Sequence, residues 1–213
     1  MKRFFILFVA VLLSVFNFAS CFNGNKTSDN FDKFSENAEF TLLILNFSDQ
    51  DKKPSNTFND LIAKADIYLS ETPVLVTPDN LKSKCEIYKC LDTCRTFMVY
   101  RKTLYVLGDS FGGYGVTQLA LANDNGKEYL IYCFSFGSGM HRSLIGVFDF
   151  AAQKSYVSDK CWWNKDICLG YNKNGTLLVG ETEEFVQNIY YADFNEFTVS
   201  DEFCSLKFTA VDY

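Results

Sequence analysis

Histidine is almost missing from this chain: His141 is the only one in 213 residues. Proline and methionine are nearly as scarce, at three each. Basic residues are outnumbered, 20 against 26 acidic, for a formal net charge of −6. Binding to a phosphate backbone needs a basic face, so the deficit argues against a nucleic-acid partner. No long amphipathic helical stretch and no alternation of strand and helix patterns is present, which excludes a doubly wound α/β design. Nothing in the sequence calls for a cofactor.

What is present is an ordinary globular balance, 48% apolar and 22% charged, with aromatics raised to 17% by 22 Phe and 12 Tyr. Flat rings pack well on a pleated surface, so this enrichment favours strands.

The N-terminus carries Lys2-Arg3 and then an apolar run over 4–19, interrupted only by Ser14 and Asn17. That pattern is a secretory signal, too short for a membrane span, which needs roughly twenty residues. It ends at Phe18-Ala19-Ser20-Cys21. Ala19, Ser20 and Cys21 resemble the lipobox of bacterial lipoproteins; Phe18 stands where an aliphatic residue is usual. The resemblance implies acylation at Cys21 and attachment to a membrane of the cell envelope through an N-terminal lipid. The other outcome is ordinary signal cleavage and secretion, with Cys21 as one more disulfide cysteine. Residues 21–38 are polar and without periodicity, as in a flexible tether. Residues 39–213 are then a single domain. Sequons at Asn25, Asn46 and Asn174 are no more than an Asn-rich chain gives by chance.

Within the domain, residues 39–48 read as a buried strand. Asn56 or Thr57 could cap a short helix through Ala65, with Phe58, Leu61 and Ile62 inward. Residues 65–70 and 73–77 read as strands, and Pro78 opens a helical stretch towards Cys90. TFMVY and TLYVL flank Arg101-Lys102 as a tight hairpin. The plainest signal is GVTQLALA and KEYLIYCFSF around Asn125-Gly126, because both central residues of a two-residue turn need positive φ. Residues 143–150 continue the meander, Asn174-Gly175 makes another turn, and Thr182 could start a short helix. The chain ends in a strand with Leu206, Phe208 and Ala210 on one face. The expected fold is mostly β, an antiparallel meander, sandwich or open barrel with two or three short peripheral helices; propeller-like blades are the alternative.

Seven cysteines follow Cys21, and an exported protein should pair some of them. Cys161 and Cys168 bracket a short loop that a disulfide closes easily. Cys133, mid-strand, suits a buried free thiol. Cys85, Cys90 and Cys94 lack zinc-like spacing and a second pair, so no metal is expected. The loop's Trp162 and Trp163 could form an aromatic patch for a glycan or peptide; the alternative is one ring in the core and one covering it.

Gly108-Asp109-Ser110-Phe111-Gly112 satisfies G-x-S-x-G after an apolar run and resembles the nucleophile elbow of α/β-hydrolases. The same string resembles the opening of GDSL esterases and the trypsin-like GDSGG. Past the motif each resemblance stops: the βα units, the late D-x-x-H and an upstream histidine are all absent. The weak catalytic candidates are Ser110, His141 and Asp109. Glycines cluster at both ends of the strand pair, and the second loop carries His141, Arg142 and Ser143. Arg142 beside the sole histidine could bind an anion, or could pair with Asp109 or Asp149 as a structural residue. If Asp124 faces Lys127, facing residues sum to 251; Ser110 and His141 share that sum and should lie within about 10 Å. Two functions remain: a non-enzymatic exported domain binding a small molecule, glycan or protein, and a small serine hydrolase centred on Ser110 and His141.

Overall fold

The computed structural model describes residues 30–31, 33–108, 111–183 and 185–211; the signal, Cys21, the start of the tether, Asp109 and Ser110 lie outside them. The strands run β1 (Asn30–Phe31), β2 (Glu39–Leu43), β3 (Val74–Leu75), β4 (Glu86–Lys89), β5 (Thr96–Tyr100), β6 (Thr103–Val106), β7 (Gly115–Asp124) and β8 (Lys127–Phe136). After them come β9 (Arg142–Asp149), β10 (Lys154–Ser158), β11 (Trp162–Trp163), β12 (Asp166–Tyr171), β13 (Leu177–Thr182), β14 (Thr198–Glu202) and β15 (Phe208–Val211). One α-helix, α1 (Asn56–Lys64), and short 3-10 turns complete the described elements.

The Asn125-Gly126 turn organises the centre. Asn125 and Gly126 take φ of 52° and 77°, and Asp124 faces Lys127 across the ladder. β9 adds to β8, giving the expected meander, and the central sheet runs in the order β1-β15-β10-β9-β8-β7-β2, with β11 beside the start of β9. A four-stranded sheet, β3-β4-β5-β6, and a three-stranded sheet, β12-β13-β14, complete the fold. Every strand pairing given by register is antiparallel, and among the described residues no closed barrel or propeller forms.

The two small sheets cover opposite faces of the central one. Leu130, Tyr132 and Phe134 point to one face and share a core with Ile87, Met98 and Tyr100. Tyr129, Ile131 and Cys133 point to the other and pack with Ile167, Leu169 and Val179. Side chains alternate along a strand, so a strand covered on both faces must be apolar at nearly every position. That is why KEYLIYCFSF reads as a continuous apolar run, with seven of its ten residues buried. Cys133 is fully buried there, as its mid-strand place suggested.

Several local expectations are corrected. The domain begins before residue 39: the compact unit starts at Phe31, and Phe31 and Phe34 pack with Tyr129, Phe203 and Phe208. Ser35 also donates to the Asp124 carboxylate. Ser55, not Asn56 or Thr57, caps α1, accepting from Phe58 N–H. Residues 65–70 form no strand, because Ala65 and Ile67 N–H close the helix end onto Leu61 and Ile62 carbonyls. The stretch after Pro78 is a 3-10 turn, Asp79–Leu81, followed by β4, since Glu86–Lys89 finds a ladder partner in Thr96–Val99. Thr182 ends β13 instead of starting a helix; between it and Tyr191 the described residues form one 3-10 turn, Ile189–Tyr191.

The Cys161–Cys168 disulfide is not formed; both are free thiols. Cys161 packs against the first core and Cys168 against Ile189 and Phe197, so the two thiols belong to different clusters despite their closeness in sequence. Trp162 is 2% exposed and Trp163 50%: one ring is in the core, the other outside.

Candidate functional site

The two glycine-rich segments meet at the end of the β7–β8 hairpin away from its turn. Pairing keeps the sum 251 as far as Gln118↔Cys133, then slips to 250 at Val116↔Phe134 across a bulge at Thr117. Beyond the ladder, Gly137 N–H donates to Phe111 C=O at 2.5 Å, and Gly113 lies against Ser135 and Phe136 backbone. Such close approach leaves no room for a Cβ. Ser110 and Asp109 belong to this segment, but their distance to His141 lies outside the described residues.

Where the loops meet, a cleft of about 590 Å³ opens between Gly112–Tyr114, Gly137–Gly139, His141, Asn164, Glu183 and Phe185. His141 closes one side of it and is 8% exposed. Its Nε2–H donates to Asp166 Oδ1 at 2.8 Å; a carboxylate acceptor fixes the proton on that nitrogen. Asp166 is 1% exposed, and its second oxygen accepts from Val186 N–H at 2.9 Å. One buried carboxylate thus holds both the imidazole and the segment that carries Phe185. Ser143 Oγ is 3.4 Å from the same Nε2 and donates to Lys165 C=O at 2.7 Å. A serine-protease-type triad puts serine and acid on opposite ring nitrogens, so Ser143, His141 and Asp166 do not form one.

Tyr114 faces His141 across the cleft wall. Its N–H donates to Ser135 Oγ at 3.0 Å, and its carbonyl accepts from Lys89 Nζ at 2.6 Å. Lys89 is fully buried; its ammonium also reaches Val116 C=O at 2.8 Å and Cys94 C=O at 3.5 Å. Burial pushes its pKa down to about 8, the nearby thiols of Cys94 and Cys90 opposing the shift. This lysine fastens the four-stranded sheet to the bulge that presents Tyr114.

Arg142 is not part of the cleft. Neighbouring residues on a strand point to opposite faces, so Arg142 turns away from His141 and lies over Trp163 at 4.3 Å and Phe136 at 5.5 Å. Its Nε is buried without a hydrogen-bond partner. The expected composite of His141 and Arg142 is therefore split between two faces. Asp149 does not pair with Arg142 either; it caps the turn at Ala151 and Ala152. Trp162 donates from Nε1 to Ser200 Oγ at 3.2 Å, which makes it structural.

Asp166 and Lys89 were missed from sequence. The signal for each is a charged residue beside or within an apolar strand, which demands a partner. Three cysteines are poor nucleophiles: burial pushes Cys85 up to about 12 and Cys168 to about 11, and holds the Cys133 thiol well above the ordinary range. Among the described residues no cluster of His, Cys, Asp or Glu is placed to hold a metal ion, and no helix is long and apolar enough to cross a membrane. A second hollow, about 420 Å³ at Asn46, Ser48, Asp79 and Tyr191, has its acid tied to Lys82 and contains no buried polar pair. Comparison with protein-family models, curated proteins and solved structures finds no match to this chain.

Proposed function

We propose that this chain is an exported, lipid-anchored protein whose β domain binds a small ligand in the cleft at the glycine-rich end of the β7–β8 hairpin. The observation that carries the reading is the cleft itself: about 590 Å³, walled by glycine backbone, with Tyr114, His141 and Phe185 on its sides. Ligand pockets commonly span about 300–1,000 Å³ and pair aromatic walls with a few fixed polar groups. The buried His141–Asp166 pair is such a group. Export and the anchor rest on the signal over 4–19 and on Cys21.

A serine hydrolase centred on Ser110 and His141 is the competing reading, favoured by the meeting of the loops at Phe111 and Gly137. Against it, no upstream or late histidine exists; the bond from His141 Nε2 to Asp166 does not decide, since a triad acid also holds one ring nitrogen.

The test is a ligand screen, by thermal shift and ligand-observed NMR, on the mature domain and on Gly139→Trp. Gly139 lines the cleft and a Cβ there meets nothing within 4 Å, so an indole can be placed at the cleft edge without displacing backbone. Compounds whose binding is lost in the variant support the cleft; if no binding depends on Gly139, the reading fails. Labelling of Ser110 by a fluorophosphonate would replace it with the hydrolase. Processed from the precursor, the chain should partition into detergent with its N-terminus blocked; a free N-terminus away from Cys21 removes the anchor alone.

A further inference from the structure

We infer that the ligand of this cleft carries an organic cation, an alkylated ammonium of the choline type. The inference rests on the cleft being a binding site and concerns only what it selects.

Three aromatic surfaces converge there. The Tyr114 ring stands 5.8 Å from the His141 ring at 70°, and the Phe185 ring 5.0 Å from it at 88°. Tyr114 and Phe185 both line the cleft, and the face of a Tyr or Phe ring attracts a cation brought within about 6 Å. Among the described lining residues Glu183 alone carries a formal charge, and it is negative. Asp166 places a second carboxylate behind the imidazole. Of the nearby cations, Lys165 binds Glu181 and pairs more loosely with Glu183 at 3.8 Å, and Arg142 is turned to the other face.

An anion would meet the Glu183 carboxylate at the cleft and that of Asp166 behind the imidazole. Of the backbone amides a glycine-rich loop can offer an anion, those of Gly137 and Tyr114 are spent on Phe111 C=O and Ser135 Oγ. An uncharged ligand fits the rings but gains nothing from Glu183. The Tyr114 wall is set before any ligand arrives, its backbone clamped by Ser135, Lys89 and Tyr190. Phe185 is 59% exposed, an arrangement that costs apolar hydration unless something covers the ring.

The experiment compares choline with its uncharged isostere 3,3-dimethyl-1-butanol, by titration NMR on the mature domain at constant ionic strength. Choline should bind about tenfold more tightly than the isostere, since shape is shared and only charge differs. Phe185→Ala and Glu183→Gln should each weaken choline by about three- to tenfold with unchanged melting temperature, both side chains being exposed. Gly139→Trp should abolish it. Equal binding of the two probes overturns the inference, as does choline binding that survives Gly139→Trp. If neither probe binds while another compound is lost in Gly139→Trp, the cleft stands and its cation selectivity falls. If nothing depends on Gly139, both fall together.

Discussion

The β7–β8 hairpin has glycine at both ends, one at the turn and several at the other, and they serve different purposes. At the turn, Gly126 sits at φ +77° with nothing within 4 Å of where its Cβ would be. It is there for a backbone angle. At the other end a Cβ on Gly113 would stand 2.3 Å from Ser135 C=O, and one on Gly115 would stand 1.9 Å from Cys94 C=O. Those glycines let chains approach. The first kind makes a hairpin and the second makes a crossing of segments, which is where the cleft forms. Neither glycine content nor crowding alone marks a site: Gly146, Gly170 and Gly180 are crowded within the sheets, and Gly139 lines the cleft with open space around it.

The comparison breaks hardest at Gly115. Alanine there meets a backbone carbonyl and must also hold φ +61°. Overpacking and the left-handed conformation together should cost about 4 kcal/mol. Urea denaturation should show the loss directly. A variant within about 1 kcal/mol of wild type would mean the bulge relaxes freely and the two ends do not differ.

Lys89, the buried cation beneath that bulge, gives the next largest effect. Its pKa falls from 10.5 when unfolded to about 8 in the fold. Between those values the unfolded chain keeps a proton that the folded chain has released, so this group adds stability as pH rises from 8 to 10.5. The buried thiols oppose it: Cys85 and Cys168, raised to about 12 and 11, stay protonated in the fold while the unfolded chain loses protons above 9. Net stability hides the lysine, but subtraction of Lys89→Met exposes it. Wild type minus variant should become more favourable by on the order of 3 kcal/mol between pH 7 and 10.5. A difference that stays flat with pH would show that Lys89 titrates in the fold as it does in the unfolded chain, charged there without penalty.

The same contrast explains what could be read from sequence. The turn end was legible because its cause is local: Asn125-Gly126 sets φ, and the apolar runs beside it supply the strands. Arg101-Lys102 was legible for the same reason, and its two residues do take φ of 48° and 61°. The cleft end depends on partners far along the chain. His141 finds Asp166, and Tyr114 is held by Lys89; no spacing announces either pair. Register arithmetic brought the loops together but passed over the slip at Thr117, because a bulge is set by what lies beneath the strand. Treating His141 and Arg142 as one site failed for an elementary reason, the alternation of faces. The cysteines misled likewise: Cys161 and Cys168 are close in sequence, but β11 and β12 belong to different sheets.

The smallest effect sharpens the comparison best. Alanine at Gly126 meets no atom, so it should lose only what the positive φ costs an L-residue, about 1–2 kcal/mol. Because Asn125 already holds φ 52° beside it, the turn should keep its type and the register its sum of 251. Every structural consequence should stay at that end. NMR shifts at Tyr114, His141 and Phe185 should not move, and ligand affinity should equal that of wild type. A Gly126→Ala variant that altered the cleft would show that register error travels the whole hairpin. The bulge at Thr117 would then be a consequence of the turn, and the two ends would be one device instead of two.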